Sequence, residues 1–214
     1  MQLTPKGHSM ALSREVITDG LLTEMGRFED LVRSLSPQEW DTPSRCEGWT
    51  VGDVARHAIG SMADVVAGNL DGLGSPEVTA REVAERAGRS PAALADECAE
   101  AAKGVAALAA LFDDAAWDAP APGGYEGSLG RGVEALWYDF WLHGHDIAAS
   151  LGRTVDVGPS VVSGVSHLEF ELQKRGWTGP VPSSPDEQLA WVLVATGRAE
   201  PTGPDAPLNV YADA

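Results

Sequence analysis

An all-α fold, a four-helix bundle with one or two further helices at its C-terminal end, is what the 214-residue sequence predicts. Three observations carry that expectation. Apolar residues recur at helical spacing. Ser-Pro pairs and Ser/Thr starts with an acidic residue three places on mark helix beginnings. No long run shows the strict alternation of a strand.

Each element follows in order. In "ALSREVITDGLLTEMGRFEDLVRSL" the apolar positions Leu12, Val16, Leu21, Leu22, Met25, Phe28, Leu31, Val32 and Leu35 have helical spacing. Ser36-Pro37-Gln38-Glu39 has the form of a capping box and opens a short turn ending near Trp40. After the loop "DTPSRCEGW", Thr50-Val51-Gly52-Asp53 opens a second helix running to about Leu70. Its inner stripe includes Val54, Met62 and Val65, with His57 on or beside it. Ser90-Pro91 opens a third helix through about Phe112, and the Pro/Gly-rich "DAPAPGGYEGSLG" is a loop. A fourth helix runs from roughly Gly130 to Leu151 and stops at Gly152. Pro159 opens a fifth, ending near Gly176, and Ser184-Pro185-Asp186-Glu187 caps a sixth, ending near Gly197. Residues 1–11 are expected to be a disordered or vector-derived start, 12–200 a single helical domain, and 201–214 a tail.

Composition narrows the partners. With 32 acidic against 15 basic residues the net charge is −17, which argues against nucleic acid and anionic membrane surfaces, both of which select basic patches. No apolar run reaches the ~18 residues that would span a bilayer. The two cysteines, Cys46 and Cys98, lie far apart with no C-x-x-C spacing, so no disulfide framework is expected and a reducing cytoplasm fits. Lys6, Lys103 and Lys174 are the only lysines, and with abundant Ala and Gly this resembles the bias of a high-GC actinobacterial genome.

The chemistry concentrates in "WYDFWLHGHD". Asp139 and His143 are four residues apart and share a helix face. With His57 from the second helix they supply two imidazoles and one carboxylate, a three-ligand set that leaves a metal coordination position open. Such donors suit Zn²⁺, Ni²⁺ or Fe²⁺. On the residues alone, a histidine such as His57 is more often a packed, hydrogen-bonded core residue than a ligand, and Asp139 and His143 also read as an ordinary helical ion pair. Asp146, three residues after His143, either accepts a hydrogen bond from the His143 ring or forms a salt bridge, for example with Arg153 or Arg131. His145 falls on another side of the helix and is set aside. Asp53 serves the helix start, while Trp49 and Cys46 read as packing at the bundle end or as the mouth of a pocket. Arg56 and Arg131 are the candidates for meeting a carboxylate on a thiol or substrate.

"PSRCEGWTVGDVARHAIG" followed by "LWYDFWLHGHDIAASLGR" resembles the DinB-like metalloenzyme superfamily, in its mycothiol-dependent maleylpyruvate isomerase-like branch. "PDEQLAWVLVATGR" is similar to a C-terminal segment of an actinobacterial branch. The resemblance spans residues 12 to 198. It implies a divalent metal, Zn²⁺ first, held by His57, Asp139 and His143, and mycothiol as cosubstrate. It departs at Asp139, where the isomerase-type site carries Glu, and at His145, where Trp is common. No separate large C-terminal domain of the isomerase kind is evident.

The function this implies is a metal-dependent enzyme that activates a low-molecular-weight thiol for transfer to, or isomerisation of, a small electrophile. A metal-dependent hydrolase on the same bundle, and a non-catalytic metal- or small-molecule-binding bundle, are the alternatives. A homodimer is compatible with such a bundle.

Overall fold

Four helices form the bundle: α1 (Arg14–Arg33), α3 (Val51–Ala67), α5 (Pro91–Leu111) and α7 (Leu129–Ser150). α1 and α3 each pack against both α5 and α7, which closes the four into a ring. The computed structural model describes residues 12–154, 158–203 and 206–212, so the expected disordered or vector-derived start, residues 1–11, lies outside them.

The helix starts follow the sequence signals. Ser36 and Thr50 each close a reciprocal capping box, with Glu39 and Asp53, at the heads of α2 (Pro37–Trp40) and α3. α3 stops at Gly68, whose φ of +79° is left-handed and costs only glycine nothing. It therefore ends three residues before Leu70. At α9 (Pro185–Ala195) the expected cap differs: the Ser184 hydroxyl donates to the Glu187 carboxylate at 2.6 Å instead of accepting a backbone N–H.

Two helices add to the expected set. α4 (Pro76–Glu85) packs on α3, and the short α6 (Asp114–Asp118) packs on α7. α8 (Val161–Lys174) lies on α7, and α9 lies on α8. The main core lies between α1, α3, α5 and α7, around Phe28, Ile59, Met62, Leu94, Trp137 and Phe140. A second apolar cluster joins the outer face of α7 to α8 and α9 through Tyr138, Trp141, Leu168, Leu172 and Val192. The C-terminal segment docks back on it: Val210 is buried and its N–H donates to the Ala195 carbonyl at 2.8 Å.

One glycine sets the spacing that the site needs. A Cβ on Gly60 of α3 would stand 2.7 Å from the Glu82 Cβ and 2.8 Å from an Arg86 guanidinium nitrogen. Its absence lets α4 approach α3 closely, beside His57 one turn earlier.

Candidate metal centre

The facing surfaces of α3 and α7 bring three donors together. His57 sits in the second turn of α3, and Asp139 and His143 sit one turn apart on α7. One ligand atom from each lies within 4.8 Å of the others. The two imidazole centroids are 5.1 Å apart and nearly perpendicular. His143 Nε2 lies 3.4 Å from Asp139 Oδ1. Burial disfavours the charged imidazole, but the Asp139 carboxylate, together with Asp146 and Cys46, outweighs it and holds the His143 pKa well above its ordinary value. The same pairing, working against burial, pulls Asp139 below the usual carboxylate range.

The orientation of His57 is fixed from behind. Its Nδ1 lies 2.7 Å from Glu82 Oε2, and the Glu82 side chain is fully buried. A carboxylate only accepts, so in the neutral ring Nδ1 carries the proton and Nε2 has the lone pair. A histidine–carboxylate pair of this kind fixes the tautomer and raises the basicity of the outward nitrogen. Trp49 packs edge-on against the same ring at 5.4 Å, which assigns the loop before α3 to the wall of the site.

Behind His143 the environment is different. Its Nδ1 stands 3.4 Å from Asp146 Oδ2 but makes no aligned hydrogen bond. Asp146 is fully buried, and Arg198 donates to both its oxygens, Nε to Oδ1 at 2.7 Å and Nη2 to Oδ2 at 2.6 Å. Arg45 Nε adds a 3.8 Å contact. Although burial opposes its charge, the two-toothed bond to Arg198 keeps the Asp146 carboxyl well below its usual range. The salt bridge is therefore with Arg198. Arg153 instead pairs with Glu39, and Arg131 with Glu134. Cys46 Sγ lies 3.5 Å from Asp146 Oδ2, and Cys46, His143 and Asp146 form a second set of three ligand atoms within 4.8 Å.

His57 and Asp139 line one end of a cavity of about 920 Å³. Tyr138 and Tyr211 line it too, with their hydroxyls 3.0 Å apart. His167 stacks on Tyr138 at 4.7 Å, and burial lowers its pKa to about 4, so it is neutral at physiological pH. The two arginine candidates serve other contacts. Arg56 pairs with Asp53 at 2.7 Å and covers the Trp40 ring. Arg131 bonds Glu134 and the Ser166 hydroxyl and lies over Phe170. His145, set aside from the sequence, has Nδ1 3.3 Å from an Arg45 nitrogen and belongs to neither ligand set.

Residues 21–148 match the family model described as the mycothiol maleylpyruvate isomerase N-terminal domain. The chain belongs to that family. The fold agrees with the assignment. A crystal structure of the mycothiol-dependent maleylpyruvate isomerase is similar over 92% of this chain and 97% of that one, with a TM-score of 0.64 and 17% identity. The structure of a histidine-to-alanine mutant of that isomerase is similar to the same extent. At this identity the likeness shows the fold, a DinB-like helical bundle. It covers almost the whole isomerase chain. No curated protein sequence matches the chain.

Two residues of the site escaped the sequence reading. Glu82 lies on α4, although Ser75-Pro76 carries the same start signal as Ser90-Pro91 and was available to announce that helix. Arg198 ends the "VATGR" stretch, and only the fold shows that it reaches Asp146.

Proposed function

We propose that this protein is a metal-dependent enzyme that activates a low-molecular-weight thiol, mycothiol by family, for addition to a small electrophile. The observation that carries the proposal is the convergence of His57, Asp139 and His143, the first two of which line a cavity large enough for a small molecule. The donors fit a divalent ion. Nitrogen and carboxylate oxygen suit Zn²⁺, with Ni²⁺ and Fe²⁺ next. The His57 lone pair is aimed by a buried carboxylate, as metal-binding histidines are. Three protein ligands leave a position free.

A free thiol has a pKa of about 8.5 and is mostly protonated at neutral pH. A divalent ion bound by these residues would supply the charge that makes a coordinated thiol a thiolate. The chain's own residues do the rest. Glu82 holds the His57 ring, and Asp146 with Arg198 backs His143, so the donors are held in place before any ligand arrives. Trp49 and the core beneath it keep water from that side. Addition to an activated alkene forms the S–C bond at the electron-poor carbon. The π pair moves toward the activating carbonyl, and a proton then reaches the adjacent carbon. The Tyr138 and Tyr211 hydroxyls, 3.0 Å apart at the cavity wall, are the donors, and burial of Tyr138 holds its phenol well above the ordinary value, in the protonated form. After rotation about the new single bond, return of that proton to the tyrosine oxygen and departure of the thiolate re-form the alkene as its isomer. Retention of the thiol gives a thioether.

The test is direct. Protein supplied with Zn²⁺ is expected to hold about one ion per chain and to consume mycothiol in the presence of an electrophilic alkene. His57→Ala and His143→Ala are each expected to lose both properties while remaining helical by circular dichroism. Absence of metal uptake by the unmodified protein removes the proposal. Turnover of an ester or amide with no added thiol would replace it with the hydrolase reading.

A further inference from the structure

The cavity extends well beyond the donor set. On α3 its wall runs from His57 through Ser61 and Val65, positions four residues apart on one face. On α7 it runs the other way, from Asp139 through Leu136 to Gly132. At 1.5 Å per residue each wall is about 10 to 12 Å long. Between these walls lie Val105 and Leu108 of α5 and Phe112 just after it, and Leu70, Leu73 and Trp117 line the cavity farther from the donors. Away from the donors, this is a long apolar slot.

Its charges are unsuited to an anion. The basic side chains on its lining are Lys174 and Arg175, both on the exposed rim. Lys174 is already paired with Glu126 at 3.1 Å and Glu171 at 3.3 Å, and both carboxylates line the same cavity. Arg175 donates to the Val210 carbonyl at 2.6 Å. Asp139 adds a third carboxylate. The lining therefore carries three acidic groups against two basic ones among the described residues. His167, neutral at physiological pH, adds no positive charge. A dicarboxylate such as maleylpyruvate would bring two more negative charges into this slot. An ion at His57, Asp139 and His143 would offset one of them at most, and burying the other without a partner is costly.

We infer that the electrophile is an uncharged molecule with an extended apolar body, its reactive carbon at the His57–Asp139 end and its tail between Val65, Leu136 and Leu108 toward Trp117. This rests on the proposed thiol chemistry for the reactive end and on the slot alone for the tail.

The test separates the two. Saturated 2-alkanones from four to ten carbons cannot add a thiol, so their binding to the Zn²⁺-supplied protein, measured by calorimetry, reads the slot. The matching enones, assayed for mycothiol consumption, read the chemistry. Ketone affinity is expected to rise about fourfold per methylene until the slot is filled, as burial of each CH₂ requires. Gly132→Leu is expected to end that rise at a shorter chain while leaving the metal content unchanged. A Cβ there meets Ala121 at 3.6 Å and Tyr125 at 3.8 Å, ordinary contact distances, so the first carbon of the new side chain is accommodated where the old residue had none. A flat ketone series, or maleate binding more tightly than 2-octanone, overturns the inference even if thiol is consumed. A rising ketone series with no thiol consumption from any enone supports the slot's occupant and removes the thiol reading.

Discussion

On its Nε2 edge His143 faces His57 and Asp139 at the end of a cavity; on its Nδ1 edge it faces Cys46 and Asp146, closed off by Arg198. Each edge offers three ligand atoms within 4.8 Å, so the number of donors does not tell the two sides apart. Neutralisation and access do. Both Asp146 oxygens are bonded to Arg198 and the side chain is fully buried. Asp139 is a third exposed and opens on the cavity. A divalent ion on the Nδ1 side would have to displace a guanidinium from a two-toothed bond. On the Nε2 side it would replace only a long histidine–carboxylate contact. The closed side is thus a support for the ring and the open side is where chemistry has room.

Breaking the closed side has the largest expected effect on stability. Arg198→Ala leaves the Asp146 carboxylate buried without its main partner, and removal of one member of a buried pair costs about 3 to 5 kcal/mol. The 3.8 Å contact with Arg45 places the expectation at about 3 kcal/mol, read by urea unfolding near pH 7. The loss has a pH signature. In the unmodified protein Asp146 is held below its ordinary value, so its contribution is complete above the unfolded carboxyl's pKa of about 3.9 and disappears as pH falls through the lower folded value. In Arg198→Ala the unpaired carboxyl is pushed up by burial and gains a proton more readily. The gap between the two proteins is therefore expected to narrow as pH falls from 7 toward 4. A gap that widens on acidification would place the ion pair's role elsewhere.

Breaking the open side from behind is the next largest. Glu82→Gln keeps an acceptor for His57 Nδ1 but removes the charge that raises the basicity of Nε2. Loss of such a supporting carboxylate typically costs 10- to 100-fold in metal affinity. The expected result, by chelator competition with Zn²⁺, is a drop of about that size with the fold retained. Unchanged affinity would mean that the ion does not sit on the His57 side.

These two residues also mark how far the sequence can be read. The Asp139–His143 pair could be singled out because spacing along one helix is a local property, and His57 could be joined to it as a candidate because the paired motifs resemble those of a known family. The bundle was legible for the same local reason: capping boxes at Ser36 and Thr50 and the stripe of α1 need no tertiary information. Glu82 and Arg198 were not. The one fully buried side chain of the ten-residue α4 is a carboxylate, which no apolar pattern announces, and Glu82 gains its role only because Gly60 lets α4 lie close to α3. Arg198 stands 52 residues from Asp146, and no pattern in the chain encodes that distance. The arginines that the sequence did single out, Arg56 and Arg131, are held by carboxylates within their own helices, three residues away.

The smallest expected effect sharpens the comparison most. Cys46 is the soft donor of the closed side, and a thiolate would outcompete a carboxylate for Zn²⁺ if that side took the ion. Cys46→Ser removes the sulfur and keeps a small side chain near Asp146 Oδ2. If the ion sits between His57, Asp139 and His143, Zn²⁺ affinity is expected to stay within about threefold, because the only ligand shared by the two sets, His143, is untouched. Cobalt substitution gives a second readout of the same question. A thiolate ligand produces an intense near-ultraviolet charge-transfer band, whereas nitrogen and oxygen donors do not. The band is expected to be absent from the unmodified protein before any thiol is added, and to appear with mycothiol in both the unmodified protein and Cys46→Ser. A band present without mycothiol and lost in Cys46→Ser would move the ion to the Nδ1 edge of His143 and reverse the roles assigned to the two sides.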